Sequence, residues 1–391
     1  MENNAYQDAR KGNTATSAGI YIHIPFCKQA CVYCNFHFST SLKYKDEMIR
    51  AIIAELEMQK DYLKNVAVET IYFGGGTPSL LSEYEINTII ETVQKNYKVN
   101  QLAECTLEAN PDDLNREYLR SLKRTPVNRL SIGIQSFRDE DLLYMKRAHN
   151  AQEADYAIKA AQDHELSNIS IDLIYGTPGL TDKDWKNNLA KLKELAIPHF
   201  SAYALTVEEK TELNHLIQKK RSAPVDAEQA AGQFELLMEH AEAMGYEHYE
   251  ISNLALPGKY AVHNTNYWRG LPYLGIGPSA HSFSGSARKW NVANNALYTK
   301  SILIDKKVPF EEEVLTEVQF MNEYMMTSLR TMWGCDLEKI EKDWGSDIVK
   351  ELMKKSERLI DKGMLEVKEK KLIITNKGKL FADRIAGDLF F

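Results

Sequence analysis

The chain has 391 residues, and its 48 Lys and Arg against 55 Asp and Glu give a formal charge of -7. It is long enough for one large core and a smaller second one, and its acidity argues against a protein built to bind nucleic acid. No apolar run reaches the roughly 18 residues of a membrane-spanning helix, and five cysteines with no legible signal peptide fit a thiol-preserving cytoplasm better than a disulfide framework.

Residues 1–18 are polar and aperiodic and read as a flexible tail. From Gly19 onward, six short β-branched or aromatic runs follow one another: IYIHI (20–24), ETIYFG (69–74), ECTLEA (104–109), RLSIGIQ (129–135), ISIDLIYG (169–176) and HFSAYAL (199–205). Between them, stretches such as 47–63 and 83–94 place Ile and Leu on one stripe and charges opposite, as helices lying on a sheet do. Strand and helix in alternation predict an α/β protein with right-handed parallel crossovers. Six such units are too few for a complete eight-fold barrel, so the pattern predicts either an open doubly wound sheet or a partial (β/α) barrel.

Beyond strand six, a helical stretch (227–244) precedes YEHYEIS (246–252) and a Gly- and aromatic-rich stretch, 258–290, that reads as loop-like. Residues 291–391 turn helical and end in a hairpin-like LEVKEKKLIITNKG (365–378), which suggests a helical or winged-helix-like domain after a core spanning 19–290. In 345–391, 11 Lys and Arg face 8 Asp and Glu, too slight an excess for a DNA-binding wing.

Cys27, Cys31 and Cys34 are spaced C-x3-C-x2-C, close enough for one loop to surround one inorganic centre. Two centres fit. A structural zinc takes four ligands, and His37 could complete a Cys3His set. A [4Fe-4S] cluster on three thiolates leaves one iron open for a ligand. Position favours the second. Ligands of parallel βα proteins gather at the carboxyl ends of the strands, and there the sequence places the cysteines, GGGTP (74–78), Glu108, Gln135 and Asp172. Singly each is weak, since a glycine run is as often a tight turn and a lone carboxylate is usually solvated. Together they offer a backbone cradle at Gly75, Gly76 and Thr77, carboxylate acceptors for hydroxyl or amino groups, and a guanidinium at Arg147 for a carboxylate.

The cysteine loop with Tyr33 before its last cysteine, together with GGGTP, resembles the radical S-adenosylmethionine superfamily. YIHIPFC, EANP, SIGIQSF and DLIYGTPG resemble the branch that holds oxygen-independent coproporphyrinogen III oxidases and HemW-type heme chaperones. That resemblance implies the partial six-unit barrel. It also implies iron ligation by Cys27, Cys31 and Cys34, with S-adenosylmethionine closing the fourth iron and contacting Tyr21, Gly75, Gly76, Thr77, Glu108, Gln135, Arg147 and Asp172. An electron donor for the cluster is implied too. Cys34 is followed by Asn35 and Phe36, without the further cysteine common in the oxidases, and only 18 residues precede the barrel, so the chaperone side is expected.

HNTNYW (263–268) points the same way. A neutral imidazole can ligate heme iron and Tyr and Trp faces can stack on a porphyrin, so His263, Tyr267 and Trp268 form a candidate heme site, against the plainer reading of a hydrogen-bonded structural histidine. The stretch is similar to the HNxxYW signature of the chaperones, which implies heme as ligand and respiratory-chain apo-hemoproteins, some membrane-associated, as partners. Cys105 and Cys335 read as packing residues. GIGPSAHSF (275–283) carries G-x-G without the rest of a dinucleotide fingerprint.

Overall fold

The computed structural model describes residues 17–391. The expected tail therefore lies outside the described residues apart from Ser17 and Ala18, which are already buried strand.

Six parallel strands form the centre: β1 (Ser17–Ile24), β2 (Ala67–Gly75), β3 (Val99–Ala109), β4 (Arg129–Gln135), β5 (Ile169–Tyr175) and β6 (His199–Ala204). Period-two alternation sorts their side chains. Ile20, Ile22, Ile24, Ile71, Phe73, Leu107, Leu130, Ile132, Ile171 and Phe200 join the large apolar core under the helices. The opposite face is polar and carries Tyr21, Tyr72, Glu108, Arg129, Asp172, Ser201 and Tyr203. The first two crossover helices, α1 (Lys45–Met58) and α2 (Glu83–Asn96), present Ile49, Ile52, Leu56, Ile86, Ile89 and Val93 to that core. A Ser82–Glu85 capping box fixes the start of α2.

The stretch 258–290 is not a loop. It folds into a helix (Val262–Trp268) and strands β9 (Tyr273–Ile276), β10 (His281–Phe283) and β11 (Ala287–Asn291). β9 pairs parallel to β1, and β10, β11 and β12 (Phe310–Val314) continue antiparallel from it. On the other edge β8 (Asn253–Ala255) and β7 (Glu247–Glu250) follow β6. The result is one twelve-stranded sheet with the six-strand half barrel at its centre.

A single carboxylate locks this added edge to the barrel. Glu55 on α1 is fully buried; Oε1 accepts from Gln59 Nε2 at 2.7 Å and Asn291 Nδ2 at 2.7 Å, and Oε2 from Gly277 N at 2.8 Å and Tyr298 OH at 2.6 Å. Glu55→Ala strands four buried donors, so unfolding in urea should show a loss of about 3–5 kcal/mol. A loss below about 1 kcal/mol would mean that these donors find other partners.

The second core begins at Met321 and surrounds the three-stranded sheet β13 (Cys335–Asp336), β15 (Lys371–Ile374) and β14 (Leu365–Lys368), with helices at Glu317–Leu329 and Ser346–Asp361. Residues 295–303 are helical, and Tyr298 and Ile302 belong to the larger core. The two parts meet where Arg330 pairs with buried Glu250 at 3.0 Å and Met332 N donates to Tyr249 O at 3.0 Å. Among the described residues no helix is long and apolar enough to cross a membrane.

Candidate functional site

The cysteine loop lies over the carboxyl rim and is held there by contacts that do not involve its thiols. Cys27 N donates to Ser39 O at 3.1 Å, Val32 N to Met145 O at 3.3 Å, and Leu213 N to Val32 O at 2.7 Å. Val32 is buried among Leu142, Met145, Ile174, Leu205 and Leu213. Lys28 pairs with Asp112 at 3.0 Å and also with Asp113. All three thiols are free and partly accessible. Burial pushes Cys27 up to about 11 and raises Cys34, and each sulfur is close enough to the others to add repulsion.

Beside this loop stands GGGTP. Gly76 N donates to Ile24 O at 2.8 Å, and a Cβ on Gly76 would come within 2.5 Å of Phe26 O, so only glycine lets this turn lie against the strand leading into the cysteines. Gly75 adopts φ +108, and its N–H donates to Glu108 Oε2 at 3.1 Å. Thr77 accepts from Asn110 Nδ2 at 3.1 Å and reaches the Cys27 sulfur. Arg147 ties the rim together. Its Nη1 donates to Cys31 Sγ at 3.2 Å and its Nη2 to Asn110 Oδ1 at 2.6 Å and Gly133 O at 2.8 Å, while its buried Nε has no partner. Gln135 ends β4 at φ +67, a left-handed conformation uncommon for a side-chain-bearing residue and of the kind found at binding sites.

Deeper in the barrel, Tyr72 OH donates to Glu108 Oε1 at 2.8 Å, and Tyr21 stacks on Tyr72 with ring centroids 6.0 Å apart. Burial, reinforced by Asp172, raises Glu108 to about 7; burial alone drives Asp172 up to about 6. Tyr203, at the end of β6, is 43% accessible although Asp172, Glu108 and Glu250 all act on it electrically. An accessible tyrosine ringed by carboxylates on the inner face of a sheet marks an open lumen.

The residues expected for the cluster and the nucleotide thus fall into two connected groups: the three cysteines, Gly75, Gly76, Thr77, Gln135 and Arg147 at the carboxyl rim, and Tyr21, Glu108 and Asp172 on the polar sheet face below it. They fit a cluster with a nucleotide beside it. The orphaned Arg147 Nε awaits an acceptor. Among the described residues no three His, Cys, Asp or Glu converge on a single metal ion, and a four-iron cube holds its thiolates farther apart than one ion does. His37, the proposed fourth zinc ligand, bonds Asn295 Oδ1 through Nε2 at 2.7 Å. His23, Tyr72, Asn110 and Tyr203 join the site without having been expected from the sequence. Asn110 was visible inside EANP, and His23 bonds both Tyr21 OH at 3.2 Å and His37 O at 2.9 Å.

The candidate heme residues lie on the helix packed toward the amino ends of β1 to β3, with the His263 ring reaching to within 6.4 Å of Tyr21. His263 turns into the floor, where Nδ1 bonds Thr70 Oγ1 at 2.8 Å and the ring stacks on Tyr72 at 5.0 Å. Tyr267 is 47% exposed, and Trp268 lies under the Arg330 guanidinium at 5.1 Å. His248 bonds Ile251 O, and exposed His281 stacks on Trp290.

Residues 21–192 match the Radical SAM superfamily model and 315–381 the HemN C-terminal domain model. With a cysteine loop over a half barrel as well, the fold and rim define a radical SAM protein, a class whose cofactors are a [4Fe-4S] cluster and S-adenosylmethionine. The chain is 34% identical over 371 residues to the heme chaperone HemW of Bacillus subtilis (strain 168), covering 94% of this chain and 97% of that one. It is 37% identical over 265 residues to the heme chaperone HemW of Escherichia coli (strain K12), covering 67% and 69%. It belongs to the HemW family. The solved coproporphyrinogen III oxidase HemN of Escherichia coli superposes with a TM-score of 0.83 at 21% identity, over 100% of this chain and 93% of that one, which shows the shared fold.

Proposed function

We propose that this chain is a heme chaperone: it receives heme at the HNTNYW helix and passes it to apo-hemoproteins of the respiratory chain, with the cluster and S-adenosylmethionine seated at the carboxyl rim. The observation that carries the reading is the placement of that helix, with Tyr267 open to solvent and Trp268 against the C-terminal part, in a chain alike over nearly its whole length to proteins named heme chaperones.

In this reading Cys27, Cys31 and Cys34 hold three irons. When bound, the cluster supplies single electrons for reductive cleavage of a sulfonium C–S bond. Arg147 pairs with the nucleotide's carboxylate through its free Nε. Glu108 and Asp172 accept from its amino group and ribose, the Gly75–Thr77 turn offers backbone groups, and Tyr21 and Gln135 close the sides. Glu108 and Asp172 are shielded from bulk water by the barrel around them, which strengthens these polar contacts.

Both carboxyls must ionise to serve, so affinity for S-adenosylmethionine should rise from pH 5 to pH 8, as pH passes about 6 for Asp172 and about 7 for Glu108. Glu108→Gln should remove the upper part of that rise in equilibrium dialysis. A pH-independent affinity would place the carboxyls outside the site.

Heme titration of the anaerobically reconstituted protein tests the function. The reading expects a saturable Soret shift, weakened by Trp268→Ala and Tyr267→Ala, and no decarboxylation of coproporphyrinogen III in the presence of a reductant and S-adenosylmethionine. Decarboxylation without heme binding would overturn it in favour of an oxidase.

A further inference from the structure

The HNTNYW helix is built into the barrel floor by three contacts with distant strands. Glu104 of β3 caps its first turn, accepting from Val262 N and His263 N at 3.0 Å each. Thr70 of β2 bonds the His263 ring. Gly19 of β1 makes space for that ring, since a Cβ there would stand 3.1 Å from His263 Cε1.

So placed, the imidazole stacks on Tyr72 with an interplanar angle of 29°. Tyr72 is itself buried, and its hydroxyl is a donor to Glu108, whose other oxygen holds Gly75 N of the glycine turn. A continuous run of contacts therefore joins the helix to the rim: His263 against Tyr72, Tyr72 to Glu108, Glu108 to Gly75. A flat ring packed against Tyr72 fixes where the phenol points, and a buried carboxylate that loses its donor holds its charge less readily. Burial with the nearby Arg129 guanidinium pushes His263 down to about 4, so the ring packs as a neutral group at physiological pH.

We infer that His263 is a positioning residue of the nucleotide site, acting through Tyr72 on Glu108, and is not the axial ligand of heme. The inference rests on the reading that Glu108 contacts S-adenosylmethionine. It assigns the helix two roles, with Tyr267 and Trp268 facing outward for heme and His263 facing inward.

The test uses the full-length chain, reconstituted anaerobically with iron and sulfide, and measures S-adenosylmethionine affinity by equilibrium dialysis and heme binding by the Soret band. His263→Ala and Tyr72→Phe should each weaken S-adenosylmethionine by about tenfold. His263→Phe, which keeps a flat ring on Tyr72, should recover to within about threefold of the wild type. The double variant Tyr72→Phe with His263→Ala should be no weaker than either single variant by more than about threefold, because both act on one chain of contacts. The Soret maximum of heme-loaded His263→Phe should match the wild type. Either an unchanged S-adenosylmethionine affinity in His263→Ala or a displaced Soret band in His263→Phe overturns the assignment. A wild-type chain that takes up no S-adenosylmethionine overturns the reading beneath it, and the assignment with it.

Discussion

Cys31→Ala should fold normally and yet take up less than about a tenth of the wild-type iron and sulfide. The fold survives because the loop is held by backbone and buried contacts: Val32 N to Met145 O, Leu213 N to Val32 O, and Val32 within its own apolar cluster. None of these needs the thiol. The cluster does not survive, because two thiolates leave two irons without protein ligands. Absorbance of the reconstituted protein and its thermal midpoint check both halves. A brown Cys31→Ala protein would place the third ligand elsewhere, and an unfolded one would show that the thiol packs the loop.

Arg147→Ala should weaken S-adenosylmethionine by roughly 30-fold to more than 1,000-fold, since truncating a buried, hydrogen-bonded charge costs about 2–5 kcal/mol. Arg147→Lys should recover little of this. The guanidinium serves Cys31, Asn110 and Gly133 from two of its nitrogens and keeps Nε free, a planar fork that an ammonium point charge cannot reproduce. Equilibrium dialysis at fixed pH reads the effect. Affinity within threefold of the wild type in Arg147→Lys would reduce the residue's part to simple charge.

The sequence made the central half barrel and its rim legible because both rest on local signals. Strand period is written in runs such as IYIHI and ISIDLIY, and rim residues follow strand ends, where a parallel fold must bring them together. What stayed hidden is non-local. Strands β9 to β11 span only three to five residues each, amid glycines, and β9 finds its partner in β1, some 250 residues earlier. No local pattern reports such a pairing. Likewise HNTNYW gave the residue types of a heme site but not the direction of His263, which is set by Thr70 and Glu104, 193 and 159 residues away in the chain. Nor does any local pattern report that Tyr72 bonds Glu108 or that His23 bonds the loop at His37.

Mössbauer spectroscopy of the iron-57-reconstituted protein, with and without S-adenosylmethionine, reads the open iron corner itself. About four irons per chain are expected, one of which changes its isomer shift when the nucleotide is added while the other three do not. Four irons that ignore the nucleotide, or a colourless protein carrying one zinc, would contradict that expectation.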